Sequence, residues 1–418
     1  MKILFLDAYF EPEITAYTHL EKDILEGLLQ KGHSIEIVCP TPSRGVDNET
    51  KKRYRKIRNE WQSDRKVHII RFFASDEKKN IISRVIRYLR SSFKTYQIAV
   101  KCEEMDIVFS NSTPPTQGLL SALVCKKLKA RQKGFVPFIY NLQDIFPDSL
   151  VTTGLARKDS ILYRIGSKIE EKTYQYADKI IVISNSMRKN ILDKGVPESK
   201  IKVIPNWIDT SKVVPVAKEA NALFEEFAIP KEKFIVLYAG NLGAAQGTEV
   251  LIEAAERLKE HSEIQFVIFG NGIDFETIQR KIHEEHLNNV FLHALLPQNR
   301  VSEVYSLGDV DIITCKKGTG MSSMPSKLWS IMACNTEIIA SFDEESDLAE
   351  VLRESQGGIC VEPQNAAALA EAILSSYQRR KEGNPPQICS REYVEQHASK
   401  ERCVSEYIAL FEECVYSR

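Results

Sequence analysis

No stretch of these 418 residues stays apolar over the ~18 positions that a bilayer crossing needs. Nor is a secretory leader expected. The opening MKILFLDAYF has one lysine, a short apolar run ending in an acid, and no small-residue cleavage site. It reads as a first strand, and a cytoplasmic location is expected. Paired cysteines are missing too. The nine cysteines, at 39, 102, 125, 315, 334, 360, 389, 403 and 414, form no C-x-x-C and no metal-ligand spacing. That argues against a zinc site and suits a reducing compartment. No G-x-G-x-x-G follows either candidate first strand, which disfavours a nicotinamide dehydrogenase, and there is no P-loop, nucleophile elbow or Ser/His/Asp signature. His283-Glu284-Glu285-His286 has the wrong order for a zincin helix. Asp309-Val310-Asp311 imitates a metal-holding D-x-D, but it stands just before a strand, where a boundary role is expected.

What is present is a regular alternation of short β-branched runs with amphipathic helices, the pattern of parallel α/β sheets. In the first half the strand candidates are 2–9, 34–40, 67–73, 106–112, 137–143 and 179–185, with helices near 16–31, 116–131 and 161–175. The second half restarts at 234–240 and continues with 264–270, 290–296, 310–315, 336–341 and 358–363. Prolines and irregular sequence over 201–216 separate the halves. Two Rossmann-like lobes follow, 1–205 and 206–394, with terminal helices after Pro385-Pro386, and residues 395–418 are expected to return to the first lobe.

The net charge of −1 conceals a basic block: Arg44 to Lys101 holds seventeen Lys/Arg against six Asp/Glu. Inside it, Ile81, Ile82, Val85, Ile86, Leu89 and Phe93 share one helical face beside basic residues and no acid. This is the pattern of a helix lying in an anionic membrane interface, so residues 78–101 are expected to meet such a surface. A core-facing helix with basic flanks fits the same pattern. Nucleic acid is not expected, because no recognised module accompanies the block.

Open parallel sheets bind ligands beyond the C-terminal ends of their strands. At one such end stands Gly240-Asn241-Leu242-Gly243, then Gln246-Gly247 and a helix start, where backbone amides can approach a phosphate. A tight turn without a ligand reads equally well. At another, Gly318 to Lys327 carries small and hydroxyl residues into Met324-Pro325-Ser326-Lys327, a helix start with free amides. Lys327 there opposes the helix dipole unless an anion is near, or is simply exposed. Gly270-Asn271-Gly272 is a third turn able to admit a nucleotide or merely to reverse the chain. In the first lobe, Asp144, Phe146 and Asp148 after a buried strand suit sugar hydroxyls and a sugar face, with Asn111-Ser112-Thr113 beside them; Asp148 can equally start a short helix.

These pieces, in order, resemble the family 4 retaining glycosyltransferases of bacterial surface-polysaccharide synthesis. The resemblance runs through Tyr9-Phe10-Glu11-Pro12, Lys31-Gly32-His33, Asp144-Ile145-Phe146-Pro147-Asp148-Ser149, Tyr176-Ala177-Asp178, Pro205-Asn206-Trp207, Tyr238-Ala239-Gly240-Asn241 and Pro325-Ser326-Lys327-Leu328. It implies a GT-B fold, with the donor in the second lobe and the acceptor in the first. Gly240, Asn241, Gly243 and Gln246 would line a diphosphate from one side, and Ser323, Met324, Pro325, Ser326 and Lys327 from the other. Gly270, Asn271, Gly272, His293 and Leu295 would surround base and ribose. Thr15, Asn111, Ser112, Thr113, Phe146 and Asp148 would meet the acceptor, and Asp144 and Lys327 are the catalytic candidates. The resemblance further implies a nucleotide-sugar donor, UDP-linked by preference, a lipid-linked saccharide acceptor, attachment to the inner membrane face, and neither metal nor cofactor.

Three departures stand out. Ile14-Thr15-Ala16 replaces a glycine pair, Asn241 and Gln246 replace an Arg/Lys pair, and Ser322 and Ser330 replace the E-x7-E carboxylates. These losses keep two other readings open: a non-catalytic sugar-nucleotide-binding subunit, and a GT-B-fold sugar-nucleotide epimerase.

Overall fold

The computed structural model describes residues 1–15, 17–76, 81–152, 156–243, 245–322 and 324–416. The chain divides into two compact units: residues 1–205 together with the chain end from Cys403, and residues 206–402.

In the first unit the β-branched runs form β1 (Lys2–Leu6), β2 (Ser34–Pro40), β3 (Asn59–Gln62), β4 (Val67–Phe72), β5 (Ile107–Asn111), β6 (Phe138–Leu142), β7 (Lys179–Val182) and β8 (Ile201–Val203). They make one sheet in the order β3-β4-β2-β1-β5-β6-β7-β8, parallel except for the β3–β4 pair. β1, β5 and β6 are apolar almost throughout and buried along nearly their whole length, as strands covered on both faces must be. The order reverses on either side of β1. The helices Ile81–Ala99, Gln117–Gln132 and Ile161–Tyr176 pack side by side in sequence. The helix Thr18–Gln30 meets the chain end instead, where a Cβ on Gly27 would stand 2.5 Å from Val404. In the same end segment Phe411 stacks with Phe5 at 6.3 Å and lies against Phe109 at 5.2 Å between centroids.

The second unit holds β9 (Phe234–Asn241), β10 (Ile264–Asn271), β11 (Val290–Ala294), β12 (Val310–Thr314), β13 (Glu337–Ser341) and β14 (Gly358–Val361). Their order, β11-β10-β9-β12-β13-β14, is wholly parallel and is that of a dinucleotide-binding sheet. Its switch point falls between β9 and β12. Two strands escape the sequence pattern: β3, whose Asn-Glu-Trp-Gln is polar and largely exposed, and the three-residue β8, which lies in the stretch read as irregular. Among the described residues no helix is long and apolar enough to cross a membrane.

Candidate functional site

The second unit's switch point gathers most of the polar loose ends. β9 ends on Gly240-Asn241; the φ of +149° at Gly240 suits glycine, and a Cβ there would stand 3.1 Å from the Lys327 ammonium. The turn continues through Asn241, exposed, whose Nδ2 donates to Gln246 Oε1 at 3.0 Å. Gly243 is kept small by that pair, since a Cβ would lie 2.9 Å from Asn241 Nδ2. Gly247, at φ +58°, lets the turn close on the end of β12, where Lys316 N donates to Ala245 O at 3.1 Å.

Over this turn lies Lys327, first residue of the helix Lys327–Ala333. Its Nζ sits 3.7 Å from the Tyr238 ring centroid, is buried, and has no hydrogen-bond partner. Burial drives its pKa down to about 7, against the pull of the Asp311 carboxylate. Asp311 is 1% exposed inside β12, and neither carboxylate oxygen has a hydrogen-bond partner. Thr314 Oγ1 and Thr248 Oγ1 are also buried without partners. An unpaired buried cation is costly unless something supplies the missing anion.

Asp311 was not among the expected site residues. The boundary role foreseen for Asp309-Val310-Asp311 holds for Asp309, which accepts Ile235 N at 2.8 Å and pairs with Lys218 at 3.3 Å. It fails for Asp311, which is inside the strand. An acid within the otherwise buried Val-Asp-Ile-Ile-Thr was the signal available. A second correction concerns the amides ahead of Lys327. The Asp343 carboxylate already accepts Gly318 N at 2.9 Å and Gly320 N at 2.8 Å, so these two are not free for a phosphate. Ser323 lies outside the described residues. Met324 and Pro325 are half-buried, Ser326 is exposed and Ser330 is buried.

The third turn has a structural account. A Cβ on Gly270 would stand 2.6 Å from the Leu242 side chain, and one on Gly272, at φ +154°, 2.0 Å from Leu242 O. Leu242 N in turn donates to Asn271 O at 2.8 Å, so this segment clamps the turn that follows Gly240. His293, at the end of β11, is half-buried between Phe227 and Phe269, with ring centroids at 4.6 and 5.5 Å. Burial lowers its pKa, and its Nε2 has no partner. Leu295 is exposed just beyond.

In the first unit the strand ends are wired differently. Asn111 Nδ2 donates to Asp7 Oδ1 at 2.8 Å and its Oδ1 accepts from Asn141 at 2.9 Å. Asn141 Oδ1 accepts from Tyr407 OH at 3.0 Å and its Nδ2 donates to Tyr17 OH at 2.7 Å. Burial raises Asp7 to about 6 and Glu21 well above its ordinary range, the latter also through the charge of Asp7. Of the expected acceptor residues, Asn111 is buried in this network, and Ser112 is buried with its Oγ accepting Gln143 N at 3.0 Å. Asp148 is engaged within the lobe too. It opens the helix Asp148–Thr152, and its carboxylate accepts from Tyr163 OH at 2.7 Å and Asn190 at 3.1 Å and pairs with Lys194 at 2.9 Å. Burial raises its pKa, but those bonds outweigh it and hold the carboxyl below the usual range. Thr15 shares a 2.7 Å hydroxyl contact with Thr18 at a helix start. Thr113 and Asp144 are exposed, and Phe146 is half-buried with its ring against Gly166.

On the helix Ile81–Ala99 the core-facing alternative fails for the described side chains. Val85, Ile86, Leu89 and Phe93 point to solvent, Leu89 and Phe93 at 57% and 61% exposure, with Arg90 and Lys94 exposed beside them. Arg87 turns inward to Ser75 O at 2.8 Å and Ser43 Oγ at 2.8 Å. The helix Ile161–Tyr176 likewise exposes Ile161, Leu162 and Ile165 beside Arg164 and Lys168. The expected stretch 78–80 lies outside the described residues.

Comparison with known proteins agrees with this geometry. A family model described as "Glycosyltransferase Family 4" matches residues 22–212, and one described as "Glycosyl transferases group 1" matches residues 219–386. The chain is 24% identical to WcaI of Escherichia coli K12, named for colanic acid biosynthesis, covering 98% of this chain and 99% of that one. It is 25% identical to WbjE of Pseudomonas aeruginosa, named as a glycosyltransferase, over 72% of this chain and 74% of that one. Among solved structures, sucrose-phosphate synthase from Thermosynechococcus elongatus superposes with a TM-score of 0.74 at 17% identity, covering 100% of both chains. HepE of Anabaena, solved with UDP and glucose, gives 0.71 at 14% identity, over 99% of this chain and 100% of that one. The fold is that of the GT-B glycosyltransferases.

Proposed function

The chain belongs to the family 4 glycosyltransferases, and we propose that it moves a sugar, with retention of configuration, from a UDP-linked donor to a lipid-linked saccharide in surface-polysaccharide synthesis. The single observation that carries the donor assignment is the Lys327 ammonium, buried at the switch point of a dinucleotide-type sheet with no hydrogen-bond partner. A diphosphate at the Gly240 turn supplies the missing anion. It also explains how the site works without a basic residue at 241 or 246: the cation arrives from the helix on the other side. HepE, solved with UDP and glucose, and WcaI, named for colanic acid, favour UDP and the polysaccharide pathway by analogy.

In the transfer, the acceptor hydroxyl attacks the anomeric carbon on the face from which the diphosphate departs. The bond to the diphosphate oxygen breaks, the new glycosidic bond forms, and the hydroxyl proton passes to a leaving phosphate oxygen. Lys327 offsets the charge that grows on that oxygen, an effect of about 10²–10³-fold where one such donor has been removed elsewhere. No metal is called upon in this scheme. Asp144, exposed just past β6 and bonded by Ser149 and the Ile145 amide, is a first-lobe carboxylate that would meet an acceptor hydroxyl. The protein would work in the cytoplasm on the inner membrane face. The outward apolar residues of the helix Ile81–Ala99, flanked by Arg90 and Lys94, would enter the headgroup region of an anionic bilayer.

The test is thermal stabilisation by UDP, GDP, ADP and several UDP-sugars, followed by turnover with lipid-linked acceptors. A selective rise with UDP and its sugars, then transfer by the purified chain, is expected. No rise with any nucleotide refutes the donor assignment; binding without turnover favours the non-catalytic subunit suggested by Ser322 and Ser330.

A further inference from the structure

The Lys327 ammonium is not alone in lacking a hydrogen bond. In β12, one strand from the turn it covers, the Asp311 carboxylate is equally buried and equally unpartnered. It is packed closely, since a Cβ on Gly308 would stand 3.2 Å from Asp311 Oδ1. No ion pair within 4.0 Å engages either group among the described residues, so this is not an ordinary salt bridge. The other titratable groups around them are Tyr238 from β9, Tyr305 from the helix Val301–Tyr305, and Cys334 after the helix Lys327–Ala333. Burial holds all three uncharged: both tyrosines lie well above their ordinary range and the Cys334 thiol is pushed up to about 12. Among the described residues, Lys327 and Asp311 are thus the opposing charges that act on each other in that pocket.

A buried carboxylate without a donor destabilises the fold. Asp311 stands in register with Leu237 on β9, next to the Tyr238 whose ring carries the Lys327 ammonium at 3.7 Å; burial raises the Asp311 carboxyl well above the ordinary range, and the Lys327 charge opposes that rise. We infer that Asp311 is a positioning residue: its carboxylate is the counter-charge that keeps the Lys327 ammonium protonated and set over Gly240 before the donor diphosphate arrives. The inference rests on the donor assignment above for its purpose, though not for the pairing itself. Without Asp311, the Tyr238 ring is the remaining stabiliser of the ammonium, and the proton would be lost at a lower pH. Donor capture would then require proton uptake, and affinity would fall earlier on the alkaline side. When the diphosphate binds, it takes over as the lysine's counter-ion.

The experiment follows the Lys327 side-chain signal by NMR across pH in lysine-labelled protein, assigned with K327R, for the native chain and D311N. UDP affinity is measured over the same range. D311N leaves a buried ammonium uncompensated and should melt lower than the native protein at pH values below the variant's Lys327 titration; D311L serves in its place if the amide does not fold. The expected result is a Lys327 titration about one pH unit or more lower in the variant, with the alkaline fall in UDP affinity moving down in step. An arginine keeps its charge, so K327R placed in the D311N background should remove that fall. Titration of Lys327 at the same pH in both proteins overturns the inference. A shifted titration with no UDP bound by either protein keeps the pairing and refutes the diphosphate assignment.

Discussion

The two sheets reverse strand order in the same way, yet their switch points are finished oppositely. At β1/β5 of the first unit, Asp7, Asn111, Asn141, Tyr17 and Tyr407 are joined in a chain of buried hydrogen bonds that leaves only the second Asp7 oxygen of these five side chains without a partner among the described residues. At β9/β12 of the second, Lys327 and Asp311 are buried with no hydrogen bond at all. A polar cluster that is internally satisfied rigidifies its surroundings; one left unsatisfied is a place where something else binds. The same topology therefore carries a hydrogen-bonded joint in one unit and, in the other, a pair of buried charges with no hydrogen bond, which is where the proposed donor would bind.

The largest break in this comparison should come from K327M. It removes the cation and leaves Asp311 uncompensated, so UDP stabilisation should vanish, transfer should fall by about 10²-fold or more, and stability should drop by about 3–5 kcal/mol unless Asp311 takes up a proton. Adding D311N should restore the stability and not the binding, as read by denaturant unfolding beside nucleotide titration.

The first unit offers a pH-dependent contrast. Burial raises the folded pKa of Asp7 from 3.8 to about 6, so folding favours its protonated form. That contribution is complete below the unfolded value and is lost as pH rises through the folded one. D7N removes the ionisation. Its stability relative to the native chain should therefore improve between about pH 4 and 6 and stay level above, by roughly 1–3 kcal/mol. Denaturant midpoints measured across pH check this; a constant difference contradicts it.

Smaller still, Tyr407→Phe takes one donor from Asn141 Oδ1, which keeps its bond from Gln143 at 3.1 Å. A loss of about 1 kcal/mol is expected, with no change in UDP binding. L89E with F93E should leave folding and UDP binding almost untouched, because both side chains face solvent. The pair should lower binding to anionic liposomes, measured by co-sedimentation; unchanged binding would refute the bilayer contact.

The fold was largely legible because strands buried on both faces must be apolar and β-branched, and twelve of them read that way in the chain. β3 was hidden because an exposed edge strand can be polar. The tight turn after β9 was legible because Gly240 and Gly247 occupy backbone conformations that glycine favours. Asp343 was not, since its bonds to the Gly318 and Gly320 amides join segments on two different strand ends, which no local pattern records. Asp311 was misread because a carboxylate before or inside a strand looks the same in one dimension. The outward face of the helix Ile81–Ala99 was undecided for a similar reason: an amphipathic period says that one face is apolar, not what that face meets.

The most direct test of the account is calorimetric titration of UDP into the native chain and into the charge-neutral pair K327M/D311N. The variant removes both unpartnered charges together and should retain its fold. The account predicts UDP binding to the native chain and its loss in the variant at equal thermal stability. Equally tight binding by both would show that the diphosphate is held elsewhere.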